Sequence, residues 1–327
     1  MSSYSEKFSK AEALYGSDRF EEAAELFEEL WKEESDGDSA LMFANCLKCL
    51  DRDDEAVRIY EYIISFDPTW EAPLYNLAGI YYKRSEYEKA KELYLKATSA
   101  DSTSADAWFK LGDCCRMLDA DNIDEAMKYY FKCIAITEDN NYLDEAYFFL
   151  GIGYLKQEDA DLAYKCLIKS LALSPDNAEA LHFLGLCCEH LNKPDEAMEY
   201  YERALALEDR CDTHTNLALC YKDKGDTEKA LFHTQTAYEL NPEDAFALFY
   251  YCKLLSLSGE PGKAYTLLKE TDISFDNEDM LLELQVLLAL EHNDGTVADE
   301  AYSKLKAISP DRAELLGYSE MREKYIK

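Results

Sequence analysis

An alanine returns along this chain at Ala23, Ala56, Ala90, Ala126, Ala163, Ala197, Ala230, Ala264 and Ala298, at intervals of 33, 34, 36, 37, 34, 33, 34 and 34 residues. Periods of this length mark stacked repeat arrays, because one small supersecondary unit cannot bury its apolar face alone and needs its neighbours. Four residues after most of these alanines comes a large side chain: Phe27, Tyr60, Tyr94, Tyr130, Leu167, Tyr201, Leu268 and Tyr302. Twelve residues after four of them stands a proline, at Pro68, Pro175, Pro242 and Pro310. Pro194 and Pro261 fall three residues before an alanine, and Pro73 falls near the start of a repeat. All seven prolines therefore keep phase with the period.

Each period reads as helix–turn–helix. In the third, Leu74, Leu77, Ala78 and Tyr81 form the i, i+3, i+4, i+7 stripe of one amphipathic helix, and Tyr87, Ala90, Tyr94 and Ala97 form a second. Small residues such as Ala78 and Ala90 let the two antiparallel helices approach closely, with Tyr81 and Tyr94 filling the space beside them. A proline cannot continue a helix and biases the preceding residue away from the α region, so Asp67-Pro68 and Asn241-Pro242 end second helices. In a first turn, as at Pro73, Pro194 and Pro261, proline costs nothing, since that N–H lacks an intrahelical partner anyway.

These residues resemble the tetratricopeptide repeat family, whose 34-residue pattern is Trp-x2-Leu-Gly-x2-Tyr, then Ala-x3-Phe, then Pro. The matches are Trp108-Leu111-Gly112, then Tyr147-Leu150-Gly151-Tyr154-Ala163-Pro175, and Leu181-Leu184-Gly185-Ala197-Tyr201-Ala204. The resemblance implies an all-α solenoid, an α-α superhelix of about nine repeats over 1–312. The repeat boundaries are 4–36, 37–70, 71–104, 105–143, 144–177, 178–210, 211–244, 245–278 and 279–312, with 313–327 as a capping helix. The fourth repeat is longer by five residues, two placed in the turn 119–122 and three near 140–142. The first carries Lys7 and Lys10 where bulky apolar residues belong, and the ninth carries Gln285 and Val286 in place of Leu-Gly. Terminal repeats are expected to depart from the pattern because one side meets water.

Composition bounds the partners. The chain of 327 residues carries 67 acidic and 34 basic side chains, a net charge of −33. That field repels nucleic acid and anionic lipid, which both need Lys and Arg against phosphate. Charge of this size keeps the molecule soluble, and long-range steering would favour a basic partner. The longest apolar run, 281–290, is interrupted and too short to span a bilayer, and 1–7 has no apolar core for a secretory signal. Eleven cysteines without a stapling framework fit a reducing compartment, so the chain reads as cytoplasmic.

Chemistry is sparse. Cys46 and Cys49 form a C-x2-C pair, and Cys114-Cys115 and Cys187-Cys188 are adjacent, but a structural zinc needs four converging ligands. Cys46, Cys114, Cys187 and Cys220 share one phase and are spread one per repeat, which reads as small buried hydrophobes rather than a metal site. Five histidines include no H-E-x-x-H, and Gly151-Ile152-Gly153 lies inside a helix with no strand before it, so it is not a nucleotide loop. No catalytic constellation emerges, and no cofactor is expected.

The resemblance implies that first helices line a ligand groove. The fifth residue of successive repeats gives Leu41, Tyr75, Phe109, Phe148, His182, Thr215 and Phe249, an aromatic stripe that is either groove floor or packing between repeats. Lys48, Lys83, Arg116, Lys156 and Lys222 would form a basic edge, and Asp106, Glu145, Glu179 and Asp212 an acidic one. Both edges also suit the helix macrodipole. Members that clamp the terminal carboxylate of heat-shock chaperones carry Lys, Asn, Asn, Lys and Arg across three repeats. Here Asn45 and Asn76 match and Lys110 stands where the Arg belongs, but Leu41 and Asp106 replace the two lysines. The expected groove comprises Asn45, Tyr75, Asn76, Lys83, Phe109, Lys110, Arg116, Phe148, Lys156 and His182. The function this implies is a non-enzymatic adaptor holding a protein or peptide segment. The alternatives are a structural subunit joined through its convex or end surfaces and, more remotely, an enzyme.

Overall fold

A computed structural model of the chain describes residues 4–119, 123–136, 142–271 and 278–326, and every regular element among them is an α-helix. The longer turns assigned to the fourth repeat at 119–122 and 140–142 fall largely outside the described residues. The chain divides into two compact units, residues 1–175 and 176–327. No helix among the described residues is long and apolar enough to cross a membrane.

The first unit is a stack of five helix pairs: α1 (Tyr4–Tyr15) with α2 (Phe20–Glu34), α3 (Gly37–Cys49) with α4 (Asp53–Phe66), and α5 (Glu71–Lys83) with α6 (Tyr87–Ala100). It continues with α7 (Ala105–Leu118) and α8 (Asp124–Ile136), then α9 (Leu143–Lys156) and α10 (Ala160–Leu173). The second unit holds α11 (Ala178–His190) with α12 (Pro194–Leu207), α13 (Cys211–Asp223) with α14 (Thr227–Leu240), and α15 (Ala245–Leu257) with α16 (Pro261–Glu270). Its last pair is α17 (Glu278–Glu291) and α18 (Gly295–Ile308), followed by α19 (Pro310–Leu315) and α20 (Tyr318–Tyr325).

All nine phase alanines are fully buried, and each lies on the second helix of its pair. The partner position on the first helix is small too, and equally buried: Ala11, Ala44, Ala78, Gly112, Gly151, Gly185, Ala218 and Cys252, with Val286 in the last pair. The approach is tight. A Cβ built on Gly112 would lie 3.1 Å from the Ala126 carbonyl oxygen and 2.8 Å from the Tyr130 ring, and one on Gly151 would lie 2.6 Å from Leu167. The residue four after the alanine wedges beside this contact, with Phe27, Tyr60, Tyr130, Leu167 and Tyr201 wholly buried.

The turn inside each pair repeats as well. Five residues before the alanine the backbone enters the left-handed region, at Asp18, Asp51, Ser85, Glu158, Asn192, Gly225, Gly259 and Asn293, with φ between 56° and 89°. The next N–H reaches back to a carbonyl of the first helix, as in Arg52 N–H to Leu47 O (2.9 Å) and Asp159 N–H to Tyr154 O (2.9 Å). This is the Schellman closure, which satisfies carbonyls that the helix end leaves bare. Asp159, Asn177, Asp226, Asp244 and Asp294 then cap following helices by accepting from the amide three residues on.

The ends depart from the pattern in their own ways. Lys7, in place of an apolar residue, pairs with Glu29 (3.0 Å) and Glu33 (3.1 Å) on α2. Gln285 donates to the Leu268 carbonyl at 2.9 Å. The single capping helix expected over 313–327 is instead two short helices, because Gly317 takes a left-handed φ of 62° and breaks the run. The second of them returns to its unit: Tyr318 stacks on Tyr302 at 4.1 Å, and Arg322 forms a bidentate pair with Asp299 at 2.7 Å.

The cysteines are mostly packing residues. Cys46, Cys114, Cys187 and Cys220 are buried on first helices, and burial pushes the thiols of Cys46, Cys114 and Cys220 up to about 12. Such thiols stay protonated at neutral pH and are poor nucleophiles and poor metal ligands.

Two substitutions in one repeat should act with opposite signs. Ala163→Leu overfills the helix contact and should lower stability by ~1–3 kcal/mol in urea denaturation. Glu158→Gly relieves a left-handed residue and should raise it by about 1 kcal/mol. In the second unit, His214 and His233 meet Nδ1 to Nδ1 at 2.8 Å, and burial together with its neighbour lowers His233 to about 4. The unfolded histidine, near 6.5, takes up a proton first on acidification, so stability should fall as pH drops from about 6.5 towards 4. Comparing urea midpoints at pH 7.5 and 5.0 should show a smaller loss in His233→Gln than in the parent chain.

Candidate functional site

The first helices of the first unit bring α3, α5 and α7 side by side, and their shared face carries a recess of about 370 Å³. Its floor is the α5 stripe Tyr75, Gly79 and Tyr82, at i, i+4, i+7, with the buried Tyr94 behind it. Its rim carries Lys48 from α3, Lys83 from α5 and Lys110 from α7, with one carboxylate, Asp53 of α4, among them. Gly79 has open space where a side chain would stand, with only the Tyr94 hydroxyl within contact, at 3.7 Å. That gap opens the floor between the two tyrosines.

A polar ladder fixes one wall. The Tyr60 hydroxyl donates to Asn45 Oδ1 at 2.7 Å, and Asn76 Nδ2 donates to the same oxygen at 3.1 Å. Asn76 Oδ1 then accepts from Lys48 Nζ at 2.6 Å. The two asparagines thus bridge neighbouring repeats and turn the Lys48 ammonium onto an amide rather than a carboxylate. Burial lowers the Lys48 pKa, as expected for a half-buried ammonium whose nearest partner is neutral. Lys110 lies over three rings, 4.7 Å from the centroid of Tyr142, 5.4 Å from Phe109 and 5.5 Å from Tyr82. Ring faces hold a cation without neutralising it. Lys83 is different: it pairs with Asp51 (2.7 Å) and Asp53 (3.3 Å) and is largely spent.

The residues expected in the groove therefore separate. Tyr75, Asn76, Lys83 and Lys110 converge on the recess, with Asn45 supporting it from behind. Phe109 and Phe148 do not form its floor, which corrects the aromatic stripe: they are 1% and 6% exposed. Phe109 stacks face to face on Tyr142 at 4.6 Å, and Phe148 meets Phe149 edge to face at 5.3 Å. Arg116 is tied to the buried Asp113 and stacks at 4.3 Å on Phe149; Tyr82 donates to the same carboxylate. Lys156 is exposed at the end of α9, away from the recess lining.

His182 is also corrected. It belongs to the second unit, is 4% exposed, and meets Thr213 Oγ1 at 2.8 Å, with burial lowering its pKa. It is a satisfied packing histidine. Tyr82 was missed, although it continues the Tyr75 stripe at helical spacing. Lys48 was read only as part of a basic edge, and its ladder to Asn76 crosses repeats in a way no spacing announces.

Tetratricopeptide repeat models match residues 75–137, 142–209 and 211–244, together about half of the chain. A tetratricopeptide repeat-containing protein of Caenorhabditis elegans, trd-1, is 26% identical over 258 residues, covering 77% of this chain. The match spans only 31% of that protein's own length. The photosystem I assembly protein Ycf3 of Prochlorococcus marinus is 28% identical over 141 residues, covering 42% of this chain and 75% of its own. Among solved structures, the tetratricopeptide repeat protein YrrB superposes with a TM-score of 0.51 at 24% identity, covering 58% of this chain and 95% of its own.

The buried placement of the stripe has a measurable consequence. Phe109→Ala or Phe148→Ala should each lower stability by ~3–5 kcal/mol, the usual cost of a deleted core phenyl ring. Thermal unfolding checks it: an unchanged melting temperature would mean that these rings face solvent.

Proposed function

The chain belongs to the tetratricopeptide repeat family, and on that premise we propose that it is a non-enzymatic adaptor whose first unit holds a segment of a partner protein across the α3–α5–α7 recess. Repeats of this family generally mediate protein–protein interaction. One observation carries the more specific reading. On a chain of net charge −33, the recess presents two ammonium groups, Lys48 and Lys110, that meet an amide and aromatic rings, while its one carboxylate, Asp53, pairs with Lys83. A carboxylate brought to these ammoniums gains charge-assisted hydrogen bonds that neither an amide nor a ring can supply. The tyrosine floor takes the apolar part of the same segment, and Gly79 leaves room for a side chain to enter. The preferred ligand is therefore a peptide segment with an apolar residue next to an acidic one.

This modifies the expectation of a basic partner. The global field steers an approaching molecule, but contacts inside the ~8 Å screening length at physiological salt are set by the local groups. A cytoplasmic setting fits the reading, since the cysteines, mostly buried and protonated, need no oxidising environment.

The test is capture of partners from the native host by the purified chain and by Lys48→Glu/Lys110→Glu. The variant should lose the captured partner by tenfold or more, with its melting temperature kept within a few degrees. Undiminished capture would move the binding surface elsewhere and favour a structural subunit joined through other faces. Turnover of a small molecule by the purified chain would overturn the adaptor reading.

A further inference from the structure

The outer face of the first unit carries a second surface, and its charge runs against the rest of the chain. From Ala126 to Ile136 on α8, and from Leu162 to Leu173 on α10, there is no acidic side chain, whereas the whole chain has 67 acidic and 34 basic residues. The same stretches carry Lys128, Lys132, Lys165 and Lys169, all exposed. Among the described residues none of these four is ion-paired. Lys132 lies 3.9 Å over the Trp108 ring and Lys169 4.9 Å over Tyr147. The nearby acids lie in first turns: Glu125 pairs with Lys91 at 2.9 Å, Asp124 accepts from Gln157 at 2.7 Å, and Asp161 stands exposed one turn before Lys165.

Beside Lys165 and Lys169 the surface is apolar. Phe131 (41% exposed), Leu162 and Ile168 stand around a groove of about 480 Å³ floored by Tyr147, Tyr154 and Cys166. Phe131 meets Tyr154 edge to face at 6.2 Å, which fixes one wall. Apolar side chains held open to water beside unpaired cations mark a binding surface rather than ordinary surface scatter. The other second helices of this unit lack the combination: α4 carries Glu61, and α6 carries Glu88 and Glu92, on exposed positions.

Backbone chemistry narrows what can dock. The walls are helices whose N–H and C=O groups are already paired internally, so no sheet edge is offered. An extended segment would bury its own amides without partners, while a helix brings them satisfied and lays an apolar ridge into the groove. The two ammoniums in the groove lining, Lys165 and Lys169, select carboxylates and repel a basic segment. A second copy of this chain would bring its own −33 charge, which disfavours self-association.

We propose that the outer face of α8 and α10 docks an acidic amphipathic helix of a partner protein, its apolar stripe in the groove and its Asp and Glu side chains over Lys165 and Lys169. This surface is independent of the recess on the first-helix face and would let one repeat unit hold two protein segments at once.

The test uses the full chain and two fluorescein-labelled helical peptides of about eighteen residues, with leucines at i, i+3, i+4, i+7 spacing and either Glu or Lys elsewhere. Fluorescence anisotropy at physiological salt should show saturable binding of the Glu peptide. Lys165→Glu/Lys169→Glu and, separately, Phe131→Asp should each weaken it at least tenfold, with melting temperatures unchanged. Lys48→Glu/Lys110→Glu should leave it intact. The proposal fails if the Glu peptide does not saturate, or if both outer-face variants bind it as the parent does. It also fails if only the recess variant loses binding, which would place the peptide in the recess. A dimer in light scattering that Phe131→Asp dissociates would give the groove to a second copy and equally overturn it.

Discussion

The structure depends on one contact, made nine times: an alanine on a second helix against a small side chain twelve to fourteen residues earlier on the first. Where that partner is glycine, a Cβ on it would sit 2.3–2.8 Å from the ring or leucine beside it, so the spacing admits no larger side chain without movement. Dispersion between close-packed backbones rises steeply at such separations, and side chains placed beside the contact are wedged rather than merely adjacent. The Tyr or Leu four residues on is that wedge, and it is buried because the helices are close, not only because it is apolar. Each pair then exposes an apolar edge that only the next pair can cover, so the period propagates. Stability in such an array is a sum of unit and neighbour terms.

The same geometry decides which positions become surface. A first helix in this array touches its own second helix on one side and neighbouring pairs on the others, so only a narrow strip stays open. Tyr75 and Phe109 occupy the same repeat phase, yet one lines a recess and the other is core. The difference lies in what the following repeat supplies. Phe109 is covered by Tyr142, which stacks on it from the entry to α9. Tyr75 has open room beside Gly79, and the Lys110 ammonium bounds that room instead of filling it. The buried Asp113 makes a similar selection among the basic residues. It engages Arg116, leaving Lys110 as the cation of α7 that faces the recess.

The fold was legible because its signals are local and repeated. The alanine period, the proline phases and the wedge residues each repeat the same statement, and the helical class follows from any of them. The turn chemistry was less legible. A left-handed residue recurs five positions before the alanine, but it is glycine in only two described turns, and Asp, Asn, Ser or Glu in the others. Enrichment of Asp and Asn there was the available signal, since these residues tolerate that conformation best among non-glycines. The candidate site was half legible. Asn45, Asn76, Tyr75 and Lys110 could be placed by phase, because phase fixes which side of a helix a residue occupies. Burial of Phe109, Phe148 and His182 could not, because it depends on side chains contributed by the next repeat. Phase is a property of one helix, and exposure is a property of three. The same limit explains the capping segment: Gly317 was visible, but its left-handed conformation is set by the return of α20 onto the last pair, where Arg322 finds Asp299.

Charge is organised on a different length scale from packing. An excess of 33 acidic groups acts as a diffuse field beyond the molecule, while each contact surface is governed by the few groups within a screening length of it. On this chain the two candidate contact surfaces of the first unit are the places where ammoniums face aromatic rings or amides instead of carboxylates. That placement is not free. A lysine on an acidic chain gains a salt bridge almost anywhere, as Lys83 does with Asp51 and Asp53, so lysines kept from carboxylates forgo a stabilising contact. Each such contact is worth little at an exposed position, so the loss to folding is small. The gain appears only when a partner's carboxylate arrives and is desolvated against them. Diffuse repulsion then discourages indiscriminate acidic partners, and only one that also fills an apolar floor recovers enough to stay.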